Sequence, residues 1–182
     1  MKKTQGFTMI ELMVVLAIAA LLIGMAGPSF VEFIQNSRIT SATNHMISQI
    51  NFARSEAVRL NQAVNIAKTS ATANTLTAGW TIYSDGGSAT GNSAYNAAED
   101  RMLREFEGYG SRNINLKTNS TGNNWIAFAS NGTLAESGNT VLIAVCDDRG
   151  VSKGRLITIS LTGRTTVTKS DSATNPLTTC TP

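Results

Sequence analysis

Glu11 stands at the mouth of an apolar run. The twenty residues that follow it, Leu12–Val31, carry no charge. A carboxylate just inside such a run costs roughly 2.5–3.5 kcal/mol on membrane-insertion scales, so it calls for a partner. Phe7 lies one helical turn earlier. A cut after Gly6 would give Phe7 a free amine, able to neutralise Glu11 within one chain or between neighbours. Few other residues could do chemistry. His45 is the single histidine, and Cys146 and Cys180 are the two cysteines. They are too few for a zinc site of the usual type. A Ser-His-Asp triad would have to use His45, which reads as a surface or packing residue. With no clustered nucleophile, base or metal set, the chain is expected to be no enzyme, to need no cofactor and to hold no metal.

The elements that position these residues follow from periodicity. At ~1.5 Å per residue, Leu12–Val31 spans the ~30 Å hydrocarbon core of a bilayer. Lys2 and Lys3 precede it, as the positive-inside rule asks of a membrane anchor. The helix is expected to run from Phe7 to about Leu60. Its second half is amphipathic, with Ile39, Ala42, Met46, Ile50, Ala53, Ala57, Leu60 and Val64 recurring at spacings of three and four. Pro28 is expected to kink or break it, helped by Gly24 and Gly27. Beyond Val64 the helical period gives way to short β-rich runs: 64–69, 80–84, 102–106, 125–130, 140–146, 156–161 and 164–168. Thr162-Gly163 reads as a tight hairpin turn between the last two. Residues 84–96 read as a loop, and 170–182 as a polar tail that is loose unless tied down. A bridge between Cys146 and Cys180 would tie it, closing a loop worth about 4 kcal/mol in the chain-entropy model. Two unrelated thiols are the alternative.

The formal charge of +3 says little about nucleic acid. Lys2 and Lys3 supply two of it, so loss of the leader leaves 3 − 2 = +1. Between Arg149 and Lys169, however, there are five basic residues (Arg149, Lys153, Arg155, Arg164, Lys169) and no acid. This is the one local basic feature.

The string Gly6-Phe7-Thr8-Met9-Ile10-Glu11-Leu12 resembles the processing site of type IV prepilins and type II secretion pseudopilins. The resemblance implies a leader of residues 1–6, cleavage between Gly6 and Phe7 by a prepilin peptidase, and N-methylation of Phe7. It also implies a filament-core helix over 7–34 and a globular domain over 35–182. Assembly roles then fall to Glu11 and to Pro28, where the helix either kinks or unwinds as a subunit leaves lipid. Phe52-Ala53-Arg54-Ser55-Glu56-Ala57-Val58-Arg59 resembles a signature of the GspH/FimT branch. Later pieces agree in order: Trp125–Phe128, Asn131-Gly132, Val145–Gly150, Leu156–Ser160 and Thr162–Arg164. The implied fold is α+β and type IV pilin-like, a long helix packed on small antiparallel sheets. Taken alone, Glu56 and Arg59 are an i,i+3 ion pair worth a few tenths of a kcal/mol. With Arg54 they are either a solvated helix face or a subunit contact.

This resemblance implies a minor pilin at or near the tip of a type IV pilus that helps to initiate assembly. Its partners would be other major and minor pilins, the prepilin peptidase and an inner-membrane assembly platform. It would lie in the inner membrane of a Gram-negative bacterium before assembly, and in the periplasm and outside the cell afterwards. A type II secretion pseudopilin is the near alternative. Another is DNA binding for natural transformation, which in some relatives uses a Gly-Arg-x-Arg motif. Here the matching positions are Gly163-Arg164-Thr165-Thr166, without the second arginine. Lys153, Arg155 and Lys169 are the candidates to replace it, since phosphate contacts need charge more than exact spacing.

Overall fold

The computed structural model describes residues 6–69, 76–86, 95–109, 114–119, 125–135, 140–170 and 180; the side chains of 25–28 also lie outside the described set. The expected loop at 84–96 and the polar tail fall mostly outside it. The chain divides into two compact units, Met1–Arg38 and Ile39–Pro182.

The first unit is the start of helix α1 (Met9–Leu60). Thr8 is its N-cap, and the Thr8 carbonyl accepts the first helical bond from the Leu12 N–H at 3.2 Å. From Met9 to Ile23, and at Phe30, Val31 and Phe33, the large apolar side chains are exposed. By length and composition α1 is able to cross a membrane. The helix runs through Pro28 without interruption, so of the two expected outcomes, a kink or a break, the break does not occur. A proline removes a single N–H bond, and the remaining bonds of a long helix tolerate that loss.

In the second unit the apolar stripe of α1 becomes the core. Ile39, Ala42, Met46, Ile50, Ala53 and Ala57 are all buried. The stripe stops one turn short of the expected Val64. Asn61 takes a left-handed φ of 52°, and the Gln62 N–H closes on the Ala57 carbonyl at 3.3 Å. This is a Schellman-type end, which asparagine tolerates. Val64 therefore belongs to β1.

Among the described residues eight strands follow: β1 (Ala63–Lys68), β2 (Trp80–Asp85), β3 (Arg101–Phe106), β4 (Asn115–Thr118), β5 (Trp125–Phe128), β6 (Val141–Cys146), β7 (Arg155–Ile159) and β8 (Thr165–Lys169). They form two antiparallel sheets of order β3-β2-β1-β5 and β4-β6-β7-β8. Period-2 alternation sends Val64, Ile66, Ile82, Ile126 and Phe128 of one sheet, and Leu116, Ile143, Val145, Ile157 and Ile159 of the other, into one core with the α1 stripe. Seven strands match expected runs within a few residues. β4 is additional.

Candidate functional site

The helix start is a capping box. The Thr8 backbone N–H and its hydroxyl each donate to Glu11 Oε2 at 3.0 Å, and the Glu11 N–H donates to Thr8 Oγ1 at 3.3 Å. Two N–H groups that the helix cannot satisfy are thereby paired reciprocally. The carboxylate also faces the positive end of the helix dipole. In the single chain Glu11 thus has a partner, but the partner is Thr8. Gly6 and Phe7 precede the helix with no regular structure, and Phe7 is 83% exposed.

The later signature pieces meet at Arg54. Its Nε donates to the Gly132 carbonyl at 2.9 Å, and its Nη2 donates to the Thr162 carbonyl at 3.0 Å. One guanidinium fork therefore ties the loop after β5 and the turn between β7 and β8 to the helix. Gly132 and Gly163 have φ of 78° and 75°, in the left-handed region. A side chain at Gly163 would collide with the Gly132 carbonyl and come within 2.8 Å of Arg54 Nε. The turn is a three-residue loop, Leu161–Gly163. The Gly163 N–H bonds the Ser160 carbonyl at 2.8 Å and the Ser160 N–H bonds the Arg164 carbonyl at 2.9 Å.

Glu56 and Arg59 behave differently. They form a surface ion pair at 2.5 Å, in which the guanidinium bonds hold the Glu56 carboxyl below its ordinary value. Nearby, the Arg104 guanidinium lies 3.6 Å from the centre of the Phe52 ring.

His45 sits in a packed aromatic group. Its ring centre is 4.6 Å from Phe106 and 5.9 Å from Trp80. His45 Nδ1 is 3.3 Å from the Tyr109 hydroxyl, which donates to the Ala42 carbonyl. Nε2 is 3.2 Å from Gln49 Nε2. One neutral tautomer satisfies all of these contacts: Nδ1 donates to Tyr109 and Nε2 accepts from Gln49. Burial pushes the imidazole below its usual pKa. A pocket of about 200 Å³ opens beside it, lined also by Ile82, Arg104 and Glu105. Among the described residues no group of three or more His, Cys, Asp or Glu is placed to hold a metal ion.

The basic residues do not form one cluster. Arg155 pairs with Lys169 across β7 and β8, and its guanidinium bonds the Lys153 and Gly154 carbonyls at 3.2 and 3.1 Å. Arg164 lies at the opposite end of that hairpin, about 16 Å away at ~3.3 Å per strand residue. Arg149 is held by Asp147 at 2.6 Å. Cys146 and Cys180 are joined by a disulfide with Cα atoms 6.0 Å apart.

Two site residues escape a reading based on charge alone. Thr8 is visible only as the pattern Thr-x-x-Glu before an apolar run. Arg54, read from the sequence as part of a solvated helix face or a subunit contact, instead bonds two carbonyls 78 and 108 residues away, partners that nothing local announces.

Comparison with known families adds two matches. The prokaryotic N-terminal methylation motif matches residues 1–27, and the family described as Type II transport protein GspH matches residues 42–163. Comparison with curated protein sequences finds no match. Among solved structures the chain is similar to two crystal forms of the Pseudomonas aeruginosa (strain PAO1) type IV minor pilin FimU. One is 23% identical with a TM-score of 0.62, covering 81% of this chain and 98% of that one. The other is 25% identical with a TM-score of 0.57, covering 78% and 98%. The GspH match runs from the buried α1 stripe to Gly163 and so takes in Arg54 and both loops that it ties, while the methylation motif takes in Glu11 and its cap: the chain belongs to the GspH family, among the type IV minor pilins and pseudopilins.

Proposed function

We propose that the chain is a minor pilin subunit of a type IV pilus, incorporated at or near the tip, where it helps to initiate assembly. The observation that carries this reading is the Gly6-Phe7 junction and Glu11 leading into an exposed apolar helix. An apolar surface of that extent needs lipid or other helices against it. The same residues then serve as the inner-membrane anchor and later as the filament core. The prepilin peptidase cleaves between Gly6 and Phe7, and Phe7 becomes N-methylated. Glu11 exchanges its Thr8 contact for the amine of a neighbouring Phe7, which sets axial register. Pro28 supplies a weak point if the helix has to unwind on leaving lipid.

The likeness to a type IV minor pilin favours a pilus over a secretion system. The separation of Arg164 from Lys153, Arg155 and Lys169 argues against DNA capture as the main role, because a duplex would meet two small charged spots in place of a continuous edge. The test is a gene deletion complemented by a tagged chain. Surface piliation should fall without the gene, and sheared pili should contain the tagged chain in far smaller amounts than the main subunit. Normal piliation in the deletion strain, with no tagged chain in the pilus fraction, would sink the proposal.

A further inference from the structure

The two sheets have four edges, and three are guarded. β3 carries Arg101, Arg104 and Glu105, and its register against β2 shifts between Ile82 and Tyr83. β5 is covered by the following loop, through the Phe128–Leu134 bridge and the Ala135 N–H bond to the Ala127 carbonyl at 2.9 Å. β4 is covered by a short helix at Leu76–Ala78, whose Thr77 hydroxyl accepts from the Leu116 N–H at 2.9 Å. Charge, irregularity and cover are the devices by which proteins keep sheet edges from pairing with other chains.

β8 carries a single charge, Lys169 at its last position, and among the described residues it has neither a register shift nor a covering segment. Thr165–Thr168 is uncharged, free of proline and rich in β-branched residues, and Val167 is 44% exposed. The hydrogen bonds of its hairpin fix which backbone groups face outward. Ser160 pairs with Arg164, and the Ser170 N–H bonds the Gly154 carbonyl at 3.2 Å. In an antiparallel ladder, bonded pairs alternate with non-bonded ones. Thr166 and Thr168 therefore bond β7, whereas Thr165, Val167 and Lys169 turn their N–H and C=O groups away from it.

We propose that this edge pairs with β8 of a second copy of the chain, making one continuous antiparallel sheet across the two copies. The edge is self-complementary. With Val167 opposite the second copy's Val167, the two residues exchange both backbone bonds, and Thr165 exchanges bonds with the second copy's Lys169. The lysines meet threonines, so no like charges oppose each other. Both Val167 side chains lie on one face and cover each other. Five residues per strand make a small contact, well below the ~1,200 Å² of a stable interface. It therefore suits two copies already concentrated in one membrane by their apolar helices, where a weak contact acts at high effective concentration.

Proline at position 167 isolates the edge. Val167→Pro deletes an outward N–H and leaves the β7 bonds intact, and edge strands accept proline there. Thr166→Pro deletes a bond to β7 and serves as the folding control. The full-length chain is co-expressed with two different tags, cross-linked in the membrane with formaldehyde, or with a short thiol reagent where a cysteine has been introduced, and then extracted in mild detergent. Val167→Cys should cross-link to itself, and Thr166→Cys should do so at least ten-fold less. Recovery of one tag with the other should fall at least ten-fold in Val167→Pro, while the Cys146–Cys180 bridge remains intact. Undiminished recovery in Val167→Pro overturns the proposal, as does equal cross-linking at the two positions. Cross-linking of position 167 to a different protein alone overturns the second copy as occupant.

Discussion

Arg54 Nε lies 2.9 Å from the Gly132 carbonyl oxygen, across 78 residues of sequence. The same guanidinium reaches Thr162, so the helix that begins in the apolar segment also orders the far ends of both sheets. Signature pieces that are weak one by one thus have a common physical cause. Arginine supplies a planar fork, and two left-handed glycines bring two carbonyls to it.

Arg54→Ala is expected to destabilise the domain by about 2 kcal/mol, the loss of two hydrogen bonds from a charged donor discounted for partial exposure. Arg54→Lys should recover less than half of that, because a point ammonium cannot span both carbonyls. Gly163→Ala should cost at least as much as Arg54→Ala, through its left-handed φ and its collision with the Gly132 carbonyl. Urea denaturation of the full-length chain in detergent measures all three. Equal stability of Arg54→Ala and the parent would show that the clamp carries no energy.

The fold was legible where a period was long. The stripe from Ile39 to Ala57 and the apolar alternation of β6 and β7 identify themselves. β4 was not, because Asn-Leu-Lys-Thr holds a single apolar residue and takes its place from pairing with β6. The hairpin at Gly163 was visible, but the reason for its glycine was not. That reason is a carbonyl and an arginine from elsewhere in the chain. The cap on Glu11 was written in Thr8, whereas weighing only the carboxylate's charge points to an amine.

His45 makes stability depend on pH. Burial depresses its pKa in the folded protein, and its two ring nitrogens are matched by groups that want the neutral form. The unfolded chain, with a histidine pKa near ~6.5, binds the proton more readily. The contribution is therefore complete above about pH 6.5 and is lost as pH falls toward the folded value. Stability measured between pH 7.5 and 5 should decline with falling pH, and His45→Phe should flatten that decline. An unchanged slope in the variant would remove His45 as its cause.

The Cys146–Cys180 bridge joins the end of β6 to a residue 34 positions further along the chain. Reduction should lower stability by up to about 4 kcal/mol in the chain-entropy model. Cys146→Ser and Cys180→Ser should each match the double variant, since either one opens the same loop. Thiol titration of the unreduced, unfolded parent should find no free cysteine.

The helix start separates two roles for Glu11. As half of a capping box it bonds Thr8; in a filament it is proposed to meet a neighbour's Phe7 amine. Cleavage itself should leave Phe7 as the amino terminus, N-methylated, which mass spectrometry of the membrane-extracted chain will show. Thr8→Ala removes the cap hydroxyl and leaves the carboxylate. It should fray the first turn, at a cost of about 1 kcal/mol, and pass into pili nearly normally. Glu11→Gln keeps a hydrogen-bond acceptor for Thr8 but removes the charge, so the cap should largely survive. Insertion into the membrane should be as good or better, because no buried charge remains. Incorporation into sheared pili should nevertheless fall, since an amide cannot neutralise an amine. If Thr8→Ala and Glu11→Gln impair incorporation equally, the cap is what matters. If neither impairs it, Glu11 acts in the single chain alone, and axial register must be set by the apolar residues of α1.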